Sequence, residues 1–178
     1  MKKLVLIFAV VLFTVGFASN VSAQNPLLTV NNNAGGEIMA PLTIISDGSL
    51  EFGRLAVEAA AGGTVVLTPA ASTTVSRTGG VSLIAGTTRT AAKYNVGGEI
   101  GYSYTITVPA DGVVNIESGS NAMAISTFTF LSLNPTPTGG TLSASGTDIF
   151  YVGATLVVPA AQPAGQYTGT FDVSVNYN

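Results

Sequence analysis

The sequence predicts an all-β sandwich of antiparallel strands, and three observations indicate it. Short segments with an apolar residue at every second position recur about every ten residues along the chain. Between them lie the turn formers Gly, Pro, Asn and Asp, with 21 glycines and 8 prolines in all. The only segment with a helical pattern, 57–61, is cut short by Gly62 and Gly63. A helical fold class is therefore excluded.

The first residues predict an export signal that is removed. Lys2 and Lys3 precede an apolar run over 4–17, and Val21-Ser22-Ala23 forms a cleavage site before Gln24. The run is shorter than the roughly 20 residues of a spanning helix, and no later segment is apolar enough to span. We therefore expect an exported protein, in the periplasm, at the cell surface or outside the cell.

The remaining chain predicts two parts. Residues 24–37 are polar and rich in Asn and Gly, which is typical of a flexible arm. Within it, Leu28 and Val30 have the two-residue spacing of a strand, so the arm is either a strand donor or a disordered tether. Residues 38–178 are expected to form a single β-sandwich domain.

The strands of this domain follow from the same alternation, taken in order. Pro41 favours an edge position for the first strand. Gly79-Gly80 predicts a hairpin between two central segments, and Asp111-Gly112 predicts a turn. Both a jelly roll and an immunoglobulin-like sandwich fit the pattern. The expected strands are 38–46, 50–53, 64–68, 73–77, 81–85, 99–108, 113–117, 126–133, 141–144, 149–158 and 167–177.

The chemistry of the side chains argues against an enzyme. The chain has no His and no Cys, which excludes Ser-His-Asp and Cys-His mechanisms and His/Cys zinc sites. It has no phosphate-binding glycine loop and no calcium loop. Nothing in the sequence brings two carboxylates together around a cleft. We expect no catalytic residue, no cofactor and no bound metal.

The net charge and the positions of the aromatic residues limit the kinds of partner that the protein is expected to bind. After the signal, four cations stand against nine carboxylates, a formal charge of −5, so nucleic acid is excluded as a partner. The aromatic residues lie almost entirely in strand patterns and predict core packing. Phe150 and Tyr151 are adjacent and must point to opposite faces of one strand. One of them is therefore a candidate for exposed contact.

The last strand carries a resemblance to a known class of proteins. Gly165 stands fourteenth from the end, Tyr177 is penultimate, and apolar residues alternate between them. This pattern resembles the terminal strand of chaperone–usher pilus subunits, although the cysteine pair common in those subunits is missing. The resemblance implies an open sandwich whose groove is filled first by a periplasmic chaperone and then by the next subunit's arm. The implied contact residues are Gly165, Tyr167, Phe171, Val173, Val175 and Tyr177.

Residues 38–178 as a whole resemble a bacterial secreted family of unknown function, DUF4402. The segments that carry this resemblance are 41–44, 50–53, 63–67 and 165–177. It implies an exported immunoglobulin-like sandwich, in the style of pilins and spore-coat-like proteins, and brings no established activity.

Together these observations predict a non-enzymatic exported protein with a structural or adhesive role, such as a pilus- or fimbria-like fibre subunit that assembles by β-strand addition. Its expected partner is another copy of itself or a periplasmic chaperone. The alternative is a stand-alone secreted sandwich that binds a carbohydrate or a protein through loops such as 86–98 or 134–140.

Overall fold

The computed structural model describes residues 29–178. Residues 29–38 are exposed and lie outside any strand. Ile38–Asn178 form one compact unit, and within the described residues every regular element is a strand. The predicted export signal and Leu28 lie outside the described part of the chain. The strands, in chain order, are β1 Thr43–Gly48, β2 Leu55–Val57, β3 Gly63–Leu67, β4 Val75–Gly79, β5 Val81–Leu83, β6 Ala92–Gly97, β7 Ser103–Thr107, β8 Val114–Ser118, β9 Asn121–Ser132, β10 Pro135–Thr136, β11 Gly139–Thr141, β12 Thr147–Val158 and β13 Ser174–Tyr177.

β12 is the centre of a seven-stranded sheet. Along one side its first half pairs with β6 and its second half with β3, while β9 pairs along its other side. β1 then pairs with β6, β4 with β3, and β8 with β9. The even-numbered residues of β12, from Asp148 to Val158, are all buried, so one face of this sheet faces the core along its whole length.

Two smaller sheets cover that face. The four-stranded sheet runs β10-β11-β7-β13, and β2 pairs with β5 in a two-stranded sheet. Tyr104 and Ile106 of β7 pack with Phe150 and Val152 of β12 in one hydrophobic cluster. Val81 of β5 packs in a second cluster, which includes the other half of β12. All pairings between the strands are antiparallel. The prediction of an all-β, sandwich-like fold is confirmed.

Because of a bulge, β9 contributes side chains to both hydrophobic clusters. Met123 and Ile125 point into the cluster that contains Val81, whereas Phe130 packs on the cluster that contains Tyr104 and Phe150, and Ser132 is buried. The change of face occurs at Thr127, which has a φ of 51°, opposite a register shift in β12. An extra residue in one strand of a pair reverses which side chains face the core.

Gly79 and Gly80 do not form the predicted hairpin. β4 pairs with β3 and β5 pairs with β2, so the chain changes sheets at these glycines. The backbones are too close here for a side chain: a Cβ on Gly63 would lie 2.0 Å from the carbonyl oxygen of Thr78. The segment 57–61 likewise forms no helix, because Val57 ends β2.

β6 is a strand that the sequence pattern did not predict.

Candidate functional site

The predicted C-terminal contact strand is divided between two sheets. Thr168 exchanges two backbone hydrogen bonds with Glu117 of β8, at 2.8 and 3.0 Å. Residues 169–173 then cross without forming a ladder, and β13 pairs with β7. Gly169 makes the crossing possible, since a Cβ there would lie 2.3 Å from the carbonyl oxygen of Asn115. The expected continuous strand over 167–177 is therefore interrupted.

The alternation of the contact residues persists through this interruption. The side chains at 167, 171, 173, 175 and 177 are half-buried, and the polar residues between them are exposed. Phe171 packs on Phe128 with ring centroids 5.2 Å apart, where the two hydrophobic clusters meet. Gly165 is exposed, beside Ser118 at the end of β8. The apolar face of this segment thus lies on the core without being fully covered.

Within residues 29–178, the outer edge of β13 has backbone groups with no strand paired to them. Among the described strands, β13 pairs with β7 alone. Ser174 lies opposite Thr107 in this ladder, and the amide of Asn178 donates to the carbonyl of Ser103. Alternate residues of an antiparallel strand bond to the same side, so Val175 and Tyr177 direct their N–H and C=O groups away from β7. β1, which among the described strands pairs only with β6 and so forms an edge of the larger sheet, also contacts β13.

The line along which β13 and β1 approach each other is called the seam here. Tyr177 forms hydrogen bonds at one end of it. Its hydroxyl accepts a hydrogen bond from the amide of Glu99 at 2.6 Å and donates to the carbonyl of Ala40 at 3.0 Å. The amide of Ala40 in turn donates to the Glu99 carboxylate. Gly98 leaves the space for this hydroxyl, since a Cβ there would lie 2.2 Å from it. The penultimate tyrosine of the sequence pattern thus connects the C-terminal strand to the residues just before β1.

A cleft of about 410 Å³ opens where the β7–β13 ladder ends. Beyond the Thr107–Ser174 pair the two segments of the chain diverge: the segment after β7 leads toward β8, and the segment before β13 leads back to Phe171. The cleft combines apolar walls with hydroxyls and one carboxylate, which is the mixture of groups typical of small-ligand sites. Its lining residues are Thr107, Val108, Pro109, Val113, Val114, Thr170, Phe171, Asp172 and Ser174.

A buried polar cluster links β7, β9 and β12. Asp148 is 4% exposed, and its Oδ2 accepts hydrogen bonds from Tyr104, at 2.8 Å, and from Ser132. Its Oδ1 accepts from the side chain of Asn134 at 3.1 Å. Burial, and then the hydrogen bond to Asp148, raises the pKa of Tyr104 well above its ordinary value. The sequence analysis missed this cluster, although Asp148 shares the inward side of β12 with Phe150.

The other candidate residues lie in several places. Val30 is 81% exposed and outside any strand. Phe150 is buried and Tyr151 lies on the opposite, outer face, which settles their orientation. β6 and the β10–β11 pair occupy much of the two predicted binding loops. Residues 29–178 contain no group of acidic side chains placed to hold a metal ion, and no helix long and apolar enough to cross a membrane.

Comparison with known proteins assigns a family and nothing further. A family model described as a domain of unknown function, DUF4402, matches residues 42–177. No curated protein matches the chain, and no solved structure does. The resemblance to DUF4402 is confirmed; the resemblance to pilus subunits remains a prediction.

Proposed function

The chain belongs to the DUF4402 family, and from the geometry of β13 we propose that it is a non-enzymatic, exported structural or adhesive protein whose copies assemble by β-strand addition. The observation that carries the proposal is the free edge of β13 beside a half-buried apolar face. An exposed edge of this kind is a template for pairing with another chain.

An added strand would bond to groups that the fold leaves free. Its backbone would pair with Val175, and its inward side chains would lie against Val173 and Val175 in the seam beside β1. Main-chain hydrogen bonds would supply affinity, and the alternating apolar side chains would set the register. The Tyr177 hydrogen bonds close the other end of the seam, which favours entry of the strand from the Val173 end.

The arm 24–37 of a second copy is the donor we propose. Leu28 and Val30 have the spacing needed to place two side chains on one face of an extended strand. The following Asn31-Asn32-Asn33 and Gly35-Gly36 would link the donor strand to its own domain. A periplasmic chaperone would occupy the same edge before assembly.

Cysteine cross-linking tests this arrangement directly, because the natural chain has no cysteine. Val30→Cys is combined with Val173→Cys or with Val175→Cys, and the protein is oxidised and separated without reductant. We expect a ladder of reducible multimers, since paired strands bring Cα atoms within about 4.4–6.8 Å, the range that a disulfide bridges.

The matched control joins Val30→Cys to Val157→Cys, which lies on β12 away from the seam and is 38% exposed. This pair should give no ladder. Equal cross-linking of the control pair, or multimers that form without any link between 30 and 173 or 175, would contradict strand addition at β13.

A second candidate function is a stand-alone secreted sandwich that binds a small ligand. The observation that favours it is the 410 Å³ cleft beside Phe171. In that case the cysteine pairs give no ladder, and binding is sensitive to substitutions such as Val113→Asp, at a residue 71% exposed in the cleft wall.

A further inference from the structure

The outer face of the seven-stranded sheet carries a contiguous patch of apolar and polar side chains. The register places Leu131 beside Tyr151 and Tyr151 beside Lys93 in one row across three strands. A second row holds Leu133, Ile149, Asn95 and Ile45. These side chains point outward, since their strand neighbours Ser132, Asp148 and Phe150 are buried on the core side.

The apolar side chains of this patch are unusually exposed to solvent for the face of a sheet. Leu131, Leu133 and Ile45 are 46%, 59% and 64% exposed, and Tyr151 stands half-buried between them. Single exposed apolar residues are common, but a contiguous group on one face is typical of an interaction surface. With neighbouring strands about 4.8 Å apart, four strands give the patch a width of about 14 Å.

The polar part of the patch is a neutral cluster. Lys93 and Asp47 form an ion pair with Nζ and Oδ2 2.5 Å apart, and the half-buried Asn95 lies two residues along β6 from Lys93, on the same face. The hydrogen bond from Lys93 lowers the pKa of Asp47, and the pKa of Lys93 is raised by the same bond. Both groups therefore stay charged around neutral pH, and the cluster offers donors and acceptors with no net charge.

We propose that this face, named the Tyr151 face, binds a neutral polysaccharide of pyranose units. The ring of Tyr151 and the flanking leucines would contact the apolar C–H faces of the sugars. Lys93, Asp47 and Asn95 would exchange hydrogen bonds with the hydroxyl groups. A flat surface of this width suits an extended polymer lying across the strands, because small ligands are held in concave sites.

The charge of the face decides among classes of ligand. An anionic polymer would meet the carboxylate of Asp47, and the single lysine there is already paired. An acyl chain would remove water from the ion pair and from Asn95 and offer them no hydrogen bond in return. A neutral, hydroxyl-rich chain satisfies both the apolar and the polar parts of the face. This site is separate from β13; its residues Lys93 and Asn95 fall within the predicted loop 86–98, which the fold forms into β6.

The test is co-sedimentation of the purified protein, from residue 24 onward, with three insoluble neutral polymers: cellulose, chitin and a β-1,3-glucan. We expect binding to at least one of these β-linked pyranose polymers. Tyr151→Ala should weaken that binding about tenfold, by loss of the aromatic contact, while Tyr151→Phe keeps most of it. Ile84→Ala, at a residue 42% exposed and far along the chain from the Tyr151 face, is the matched control.

Thermal unfolding of each variant separates lost binding from lost folding, since a surface substitution leaves the melting temperature nearly unchanged. The proposal is overturned if the natural protein sediments with none of the three polymers, or if Tyr151→Ala and Ile84→Ala bind equally. A concentration-dependent dimer that Tyr151→Ala abolishes would also overturn it, since the face would then bind a second copy.

Discussion

At the scale of single residues, Asp148 is a buried carboxylate held by hydrogen bonds from three side chains. A buried carboxylate is costly unless hydrogen bonds replace its hydration, and its three side-chain donors, Tyr104, Ser132 and Asn134, are all neutral. Gly140 lies directly over this cluster, where a Cβ would come within 2.5 Å of the Asp148 carboxylate. The cluster therefore ties three strands together through one acceptor.

The raised pKa of Tyr104 predicts a loss of stability in alkali. The folded protein holds this proton above the ordinary pKa of 10.0, where the unfolded chain releases it. Stability is thus fully present below pH 10 and falls as the pH rises beyond it, by up to about 1.4 kcal/mol per pH unit for one proton. Urea unfolding measured from about pH 8 to about pH 11 gives this slope.

Tyr104→Phe is the control for that slope. It removes a donor to Asp148, so it should cost about 1–3 kcal/mol at neutral pH. It also removes the titrating group, so the alkaline decline should be shallower than in the natural protein. The smaller decline that remains is expected from Tyr94, whose pKa is also raised by burial. An unchanged slope would mean that Tyr104 is not the group responsible.

At the scale of elements, the bulge in β9 depends on a loop residue. The Asp111 carboxylate accepts a hydrogen bond from the amide of Thr127, the residue with positive φ. Asp111→Ala leaves this exposed amide to water and should cost about 0.5–1.5 kcal/mol in urea unfolding. Asp111→Asn keeps an oxygen in place and should cost less. Equal losses in the two variants would mean that the bulge does not need this acceptor.

The alternation along the C-terminal segment gives a second test at this scale. Val173→Asp puts a charge on the half-buried apolar face and should lower the free energy of unfolding by about 1–3 kcal/mol. Ser174→Asp adds the same charge one position along, on the exposed face, and should change stability by less than about 0.5 kcal/mol. Similar losses at both positions would mean that the faces are inverted.

Two-residue periodicity predicts the strands well where one face is buried throughout. β12 is the clearest case, since its even-numbered residues from 148 to 158 are all buried. The same period places Asp148 on the core side, although the sequence does not reveal the donors that reach it from β7 and β9. Periodicity identifies a face; it does not identify the partner of that face.

Pairing between strands was harder to predict, because it depends on contacts far apart in sequence. Gly79-Gly80 suggested a local hairpin, but β4 and β5 belong to different sheets. The interruption at 169–173 was hidden for the same reason, since the apolar alternation of this segment continues through the crossing. Of the candidate site, the inward face was predictable, whereas the free edge of β13 required the strand order.

At the scale of the whole molecule, the edges of β1 and β13, each paired on one side only among the described strands, are where we expect association. The two strands belong to different sheets and approach each other along one seam. Only 8% of the residues are charged, so few charged side chains are present to disfavour pairing of these edges with another chain. An added strand in the seam would therefore gain both hydrogen bonds and apolar burial.

Deleting residues 24–37 should abolish assembly and leave the fold intact. The described part of this segment is exposed and has no strand, so its removal should change the melting temperature little. We expect the chain from residue 24 to give multimers that dissociate on heating, and the shortened chain to give a monomer. Light scattering after size exclusion, before and after heating, measures both masses.

Replacing Leu28 and Val30 by Asp keeps the length of the arm and is the matched control. Strand addition needs two apolar side chains in the seam, so this variant should behave like the deletion. If both variants form multimers as well as the parent chain, the arm is not the donor. If the parent chain itself is a sharp monomer before heating, the sandwich needs no added strand, and the Tyr151 face and the cleft beside Phe171 become the surfaces through which it acts.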